Sequence, residues 1–142
     1  MWLPQSAVDI ERAVEAGLFR KTPPIDAKAE PGSAKSVAID VAATSTGGGV
    51  IVYGVREPDA KDGKRFVPSP IDLTGRRDWI DSIVKTSIDP VPYFEVLDFE
   101  STADADVGYL VVVVPKSDAA PHMMVSGGDN RFYSRSATGN CR

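Results

Sequence analysis

Three groups of residues in this sequence have types and spacing that chemistry could use. Arg131, Tyr133 and Arg135 alternate near the C-terminus. If they lie on one strand, period two puts them on the same side. Two guanidiniums could then grip phosphate while the ring between them stacks on a base. The blander reading is an exposed edge strand with solvated arginines. The second group is Asp26, Glu30, Glu57 and Asp59. Carboxylates that met in space could hold Mg²⁺ or Mn²⁺ for phosphodiester cleavage. They read equally as surface acids, and the Asp26-Ala27-Lys28 alternation allows a local ion pair of little energetic worth. The third group is Gly47-Gly48-Gly49. A phosphate loop follows a strand and opens a helix. These glycines follow a helix-like run and precede a strand-like one. They are expected to cap a helix and allow a close backbone approach.

Other chemistries are poorly supplied. His122 is the single histidine, which argues against a His-rich zinc site. It follows Pro121 and reads as a structural histidine. Any Ser-His-Asp triad would need His122, and no Gly-x-Ser-x-Gly elbow is present. Cys141 is the single cysteine, with no partner for a disulfide or a metal pair. That usage suits a reducing cytoplasm. No Gly-Lys-Ser/Thr ending marks a Walker motif. No cofactor and no metal ion are expected.

The elements that must position these groups can be read from periodicity. Ile10, Ala13, Val14, Gly17 and Leu18 form one face of a first helix, with Ser6 and Asp9 at capping-box spacing. Thr22-Pro23-Pro24 is expected to end it. Ile25 to Glu30 reads as a short extended segment, broken by Pro31-Gly32. Ser33 to Ser45, rich in Ala and Val, reads as a well-buried second helix. Val50 to Val55 is a strand buried on both faces. Glu57 to Pro70 reads as a loop or irregular hairpin. Thr74 is placed to cap a third helix carrying Trp79, Ile80, Ile83, Val84 and Ile88, stopped by Asp89-Pro90. Tyr93 to Phe99 and Gly108 to Val114 read as strands, and Phe132-Tyr133 as part of a last short one. Trp79 reads as core. The expected fold class is α+β, a mixed β-sheet covered by two or three helices.

The 142 residues are expected to form one domain. Composition is that of an ordinary globular chain, 42% hydrophobic and 25% charged. No stretch approaches the ~18 apolar residues of a membrane span, and residues 1–6 do not resemble a signal peptide. The formal net charge of −4 argues against an overall basic coat for nucleic acid. Charge is uneven, however. Asp89, Glu95, Asp98, Glu100, Asp104 and Asp106 fall in a stretch without Lys or Arg. Beyond it Lys116, Arg131, Arg135 and Arg142 oppose only Asp118 and Asp129. A basic surface would be local, built from the C-terminal arginines with Lys28 or with Lys64 and Arg65.

The ordered motifs resemble the Schlafen AlbA-like (AlbA type-2) domain family. They are Asp26-Ala27-Lys28, a buried helix ending in Thr46-Gly47-Gly48, Val50 to Val55, Ile88-Asp89-Pro90, a Val-rich strand into Pro115, Pro121-His122, and Phe132 to Ser136. The resemblance spans roughly Leu18 to Asn140. It implies an α+β domain that binds DNA or RNA, often the N-terminal part of a longer bacterial transcriptional regulator. In animal Schlafen ribonucleases a related fold carries three metal-binding acids. By resemblance Asp26 takes the second position with Lys28 as its paired lysine, and Glu57, with Asp59 nearby, takes the third. The first falls at Lys21, which is not an acid, and Ala137 stands where the family commonly has glycine.

The expectation is therefore a non-catalytic, phosphate-contacting DNA- or RNA-binding domain of a cytoplasmic regulator. Its contact residues would be Lys28, Lys64, Arg65, Arg131, Tyr133 and Arg135. One alternative is a metal-dependent ribonuclease using Asp26, Glu57 and Asp59. The other is an assembly domain using the acidic tract and an exposed β-edge, which could pair copies into a homo-oligomer.

Overall fold

A computed structural model describes residues 3–17, 25–56, 66–101, 106–118, 123–125, 131–132, 134–136 and 139–141. Its architecture is α+β, a mixed sheet with three helices, as the sequence leads one to expect.

The first helix, α1 (Ala7–Glu15), starts at Ser6, whose Oγ accepts the Asp9 N–H. Asp9 does not complete a capping box, because its carboxylate accepts from Gln5 N–H instead. The helix ends well before Thr22. Ala16 N–H bonds back to the Arg12 carbonyl, and Gly17 takes the left-handed conformation that closes helices.

Strand β1 (Ile25–Lys28) runs parallel to β2 (Gly49–Tyr53), with Asp26 opposite Ile51 and Lys28 opposite Tyr53. Between them lies α2 (Ala34–Ser45), whose N-cap Ser33 accepts the Ser36 N–H. The glycine run behaves as a stop and a close approach. Gly48 has φ +79, and a Cβ there would lie 2.7 Å from Lys116 N. Every residue of β2 is buried. A two-residue pair, β3 (Val55–Arg56) with β4 (Val67–Pro68), closes the base of an antiparallel excursion. The hairpin reading of Glu57 to Pro70 holds at this base, and residues 57–65 lie outside the described residues.

Strand β5 (Ile71–Asp72) has no counterpart in the sequence reading. Helix α3 (Arg76–Ser87) begins at Gly75, which has φ +69. Thr74 does not cap it: the cap position is Gly75, which has no side chain. Thr74 lies one residue earlier in a local turn, where its N–H donates to the Asp72 carboxylate at 2.9 Å. Ile88 belongs to β6 (Ile88–Asp89) rather than to the helix. Strand β7 (Glu95–Glu100) and the long β8 (Val107–Val114) complete the sheet. β8 pairs antiparallel with β2, β5 and β7. β1 and β7 are thus its two outermost strands.

The two sheet faces hold separate cores. Ile51, Tyr53, Leu110 and Val112 pack under α2 and α3. Val50, Val52, Tyr109 and Val111 pack under Ile10, Ala13 and Val14 of α1. Trp79 packs against the first core while Arg76 stacks on its ring, 4.7 Å from the centroid. Gly108 sits where β7 and β8 cross closest, so a Cβ would collide with Phe99 O and Ser101 N.

The C-terminal strands are β9 (Met123–Met124), β10 (Arg131–Phe132), β11 (Ser134–Ser136) and β12 (Gly139–Cys141). β10, β9 and β6 form a small sheet, while β11 and β12 form their own hairpin.

Candidate functional site

Lys28 stands at the end of an outermost strand, facing α2. Its ammonium lies 3.8 Å from Asp26 Oδ2 and 3.7 Å from Asp40 Oδ1. The expected Asp26–Lys28 pair therefore forms, but the lysine also reaches a deeper carboxylate. The Asp40 side chain is only 6% exposed. The hydroxyl of fully buried Tyr53 donates to Asp40 Oδ2 at 3.4 Å. Burial, and then the negative charges of Asp40 and Asp26, hold the Tyr53 phenol well above its ordinary range. Tyr53 thus remains a neutral donor.

Asp40 was missed in the sequence, although a signal existed. It is the single charge between Lys35 and Arg56, within an Ala- and Val-rich run. It falls one turn from Val37, on the face that a buried helix turns inward. A lone charge there requires a partner, and Lys28 and Tyr53 supply it.

An open groove of about 330 Å³ lies beside this cluster, lined by Lys28, Glu30, Gly32, Ser36 and Asp40. It sits at the first turns of α2. The order here is strand, turn, helix, the reverse of the order at Gly47-Gly48-Gly49. The helix start and the lysine are favourable to an anion, whereas Glu30 and Asp40 oppose one.

Of the three acids suggested for a metal, Asp26 is engaged by Lys28, while Glu57 and Asp59 lie outside the described residues. Among the described residues, no group of three His, Cys, Asp or Glu side chains could hold a metal ion. The cation between Asp26 and Asp40 is the lysine itself.

The Arg131–Tyr133–Arg135 stripe is not one continuous strand. Arg131 lies on β10 and registers with Met124, whereas Arg135 lies on β11 and registers with Asn140. The chain changes partners between them, so period two does not carry across. Tyr133, Lys64, Arg65 and His122 lie outside the described residues. The β11–β12 hairpin does pack against α2, the helix that carries Asp40. Lys28 and the hairpin bearing Arg135 thus both adjoin α2.

No helix among the described residues is long and apolar enough to cross a membrane.

No family model and no curated protein matches this chain. Among solved structures, it is similar to the N-terminal domain of a RecG-related protein from Nitrosomonas europaea, named for an ATP-dependent DNA helicase. The TM-score is 0.66 at 21% identity, covering 90% of this chain and 86% of that one. At that identity the likeness is one of fold.

Proposed function

We propose that this chain is a nucleic-acid-binding module of the Schlafen AlbA-like kind, contacting phosphate and not catalytic. The reading extends to a single domain acting within a longer, cytoplasmic transcriptional regulator. One observation carries it: Lys28 reaches Asp40 on α2, and the β11–β12 hairpin bearing Arg135 packs against that same helix. The shared fold with a domain of a helicase-named protein supports the same direction. Lys28, Lys64, Arg65, Arg131, Tyr133 and Arg135 are the proposed contacts, the charged ones to phosphate and Tyr133 to a base. Such contacts set affinity through counterion release rather than sequence.

The ribonuclease alternative is less well supported. Its cation would have to displace a lysine already paired with Asp26 and Asp40.

Fluorescence anisotropy with labelled duplex DNA, single-stranded DNA and RNA tests the reading at low salt. Binding should weaken steeply as salt rises. Failure to bind any of them below ~100 μM, within the usual non-specific range, would refute it. Incubation of structured RNA with Mn²⁺ tests the alternative. Cleavage lost in both Asp26→Ala and Glu57→Ala would revive it.

A further inference from the structure

On the same helix-covered face as Lys28 but at the opposite edge of the sheet, a second groove of about 550 Å³ runs between the start of α3 and strand β7. Its apolar residues are Leu73, Phe94 and Val96. Its acids are Asp78, Asp81, Glu95 and Asp98, against one cation, Arg77. Asp81 is held by Lys85 at 2.9 Å. Asp78, Glu95 and Asp98 form no salt bridge among the described residues.

Strand alternation explains the arrangement. Val96 opposite Val112 and Asp98 opposite Leu110 lie on the α3 face of the sheet. The helix covers Val96 and leaves Asp98 exposed. Among the described residues β7 pairs with β8 alone, and no described strand covers its outer backbone edge. An open edge is a template for one more strand.

We infer that the β7 edge and its groove form a docking surface for an extended basic peptide segment, which adds as a strand. Its backbone pairs with β7. Its Lys or Arg side chains on the α3 face meet Asp98 and Glu100 and lay their aliphatic stems over Phe94. Charge complementarity selects this occupant over a second copy of the chain. Strand β7 carries three acids and no Lys or Arg, so a second copy brings three more acids to an acidic edge. Antiparallel self-pairing about Asp98 sets that residue against itself, and pairing about Phe99 sets Asp98 against Glu100. Like charges directly opposite each other destabilise a strand pair. The same field repels a nucleic-acid backbone, so this surface is separate from the proposed phosphate contacts.

The test is an amide NMR titration of the ¹⁵N-labelled chain with a heptapeptide of alternating Lys and Val, capped at both ends. The Glu–Val counterpart is the control. The basic peptide should give saturable shifts and slowed amide exchange across Glu95–Glu100, and the acidic one should give neither. The double variant Asp98→Lys/Glu100→Lys changes exposed side chains and should retain the fold by circular dichroism. It should weaken the peptide roughly tenfold or more. The inference is overturned by any of four results: no saturable response at β7, an equal response to both peptides, an unchanged affinity in the double variant, or a dimer in sedimentation whose interface maps to β7. Duplex DNA that shifts the β7 amides would also overturn it.

Discussion

Replacing Lys28 by Met removes the ammonium from Asp40 while keeping most of the stem. Asp40 would be left with the Tyr53 hydroxyl at 3.4 Å and its remaining local contacts. Two limits bound the cost. Breaking a fully buried ion pair costs about 3–5 kcal/mol, whereas an exposed pair is worth about 0.2–1. Here one partner is 6% exposed and the other 36%, so the pair lies between those limits. Solvent screening at Lys28 brings the expectation to about 1–3 kcal/mol. For a chain of this size that lowers Tm by roughly 3–4 °C per kcal/mol. Urea unfolding of the single variants Lys28→Met and Asp40→Asn, and of the double variant, isolates the pair. Asp40→Asn removes the charge that Lys28 compensates, so the second substitution should cost much less in its presence. A coupling of about 1–2 kcal/mol is expected, with unchanged m-values. Additivity to within ~0.5 kcal/mol would show that Lys28 does not compensate Asp40.

If the proposed phosphate contact is made, Arg135→Ala should weaken DNA or RNA binding uniformly across sequences and lower the slope of log K against log salt by about 1. Arg131→Ala should cost less, because β9 alone separates its strand from Asp89 on β6; equal losses in anisotropy would count against this arrangement. Gly108→Ala drives a methyl into backbone atoms of β7 that cannot swing aside, so it should destabilise by about 3 kcal/mol or more by urea unfolding, above ordinary overpacking. The raised Tyr53 phenol also sets an alkaline trend. The unfolded chain loses this proton near pH 10 and the folded chain keeps it, so stability should fall above pH 10 by about 1.4 kcal/mol per pH unit from this residue. Tyr53→Phe should remove that part of the slope, and an unchanged slope would contradict the assignment.

Sequence legibility tracked how local each cause was. α2 begins after Ser33 and ends before the glycines because capping and helix-breaking act within a few residues. The strands Val50–Val55 and Gly108–Val114 were visible because burial on both faces removes polar residues. The start of α3 was misplaced because Gly75, in the left-handed conformation, takes the cap position and Thr74 stays in the Asp72 turn before it. The registers of Arg131 and Arg135 have a non-local cause. Alternation reports a shared face only while one strand continues, and nothing within Arg131–Arg135 records that β9 and β12 take different parts of it. Asp40 was legible as an anomaly, but its partners lie on two other elements and only the fold identifies them.

The net charge of −4 is a poor guide to this surface because the sheet separates its charges. Lys28 lies on β1 and the acids of β7 lie on the far outermost strand, with β2 and β8 between them. Three strand spacings at about 4.8 Å put roughly 14 Å between the two strands. That exceeds the screening length of about 8 Å at physiological salt. The carboxylates on β7 therefore scarcely reduce the potential that a phosphate meets beside Lys28. What does reduce it is Asp26 and Asp40, which neutralise the lysine locally at under 4 Å. A phosphate arriving there must compete with two carboxylates already in place. Tight binding would thus depend on Arg135 and the other proposed cations more than on Lys28, whose energetic role is divided between the ligand and the buried Asp40.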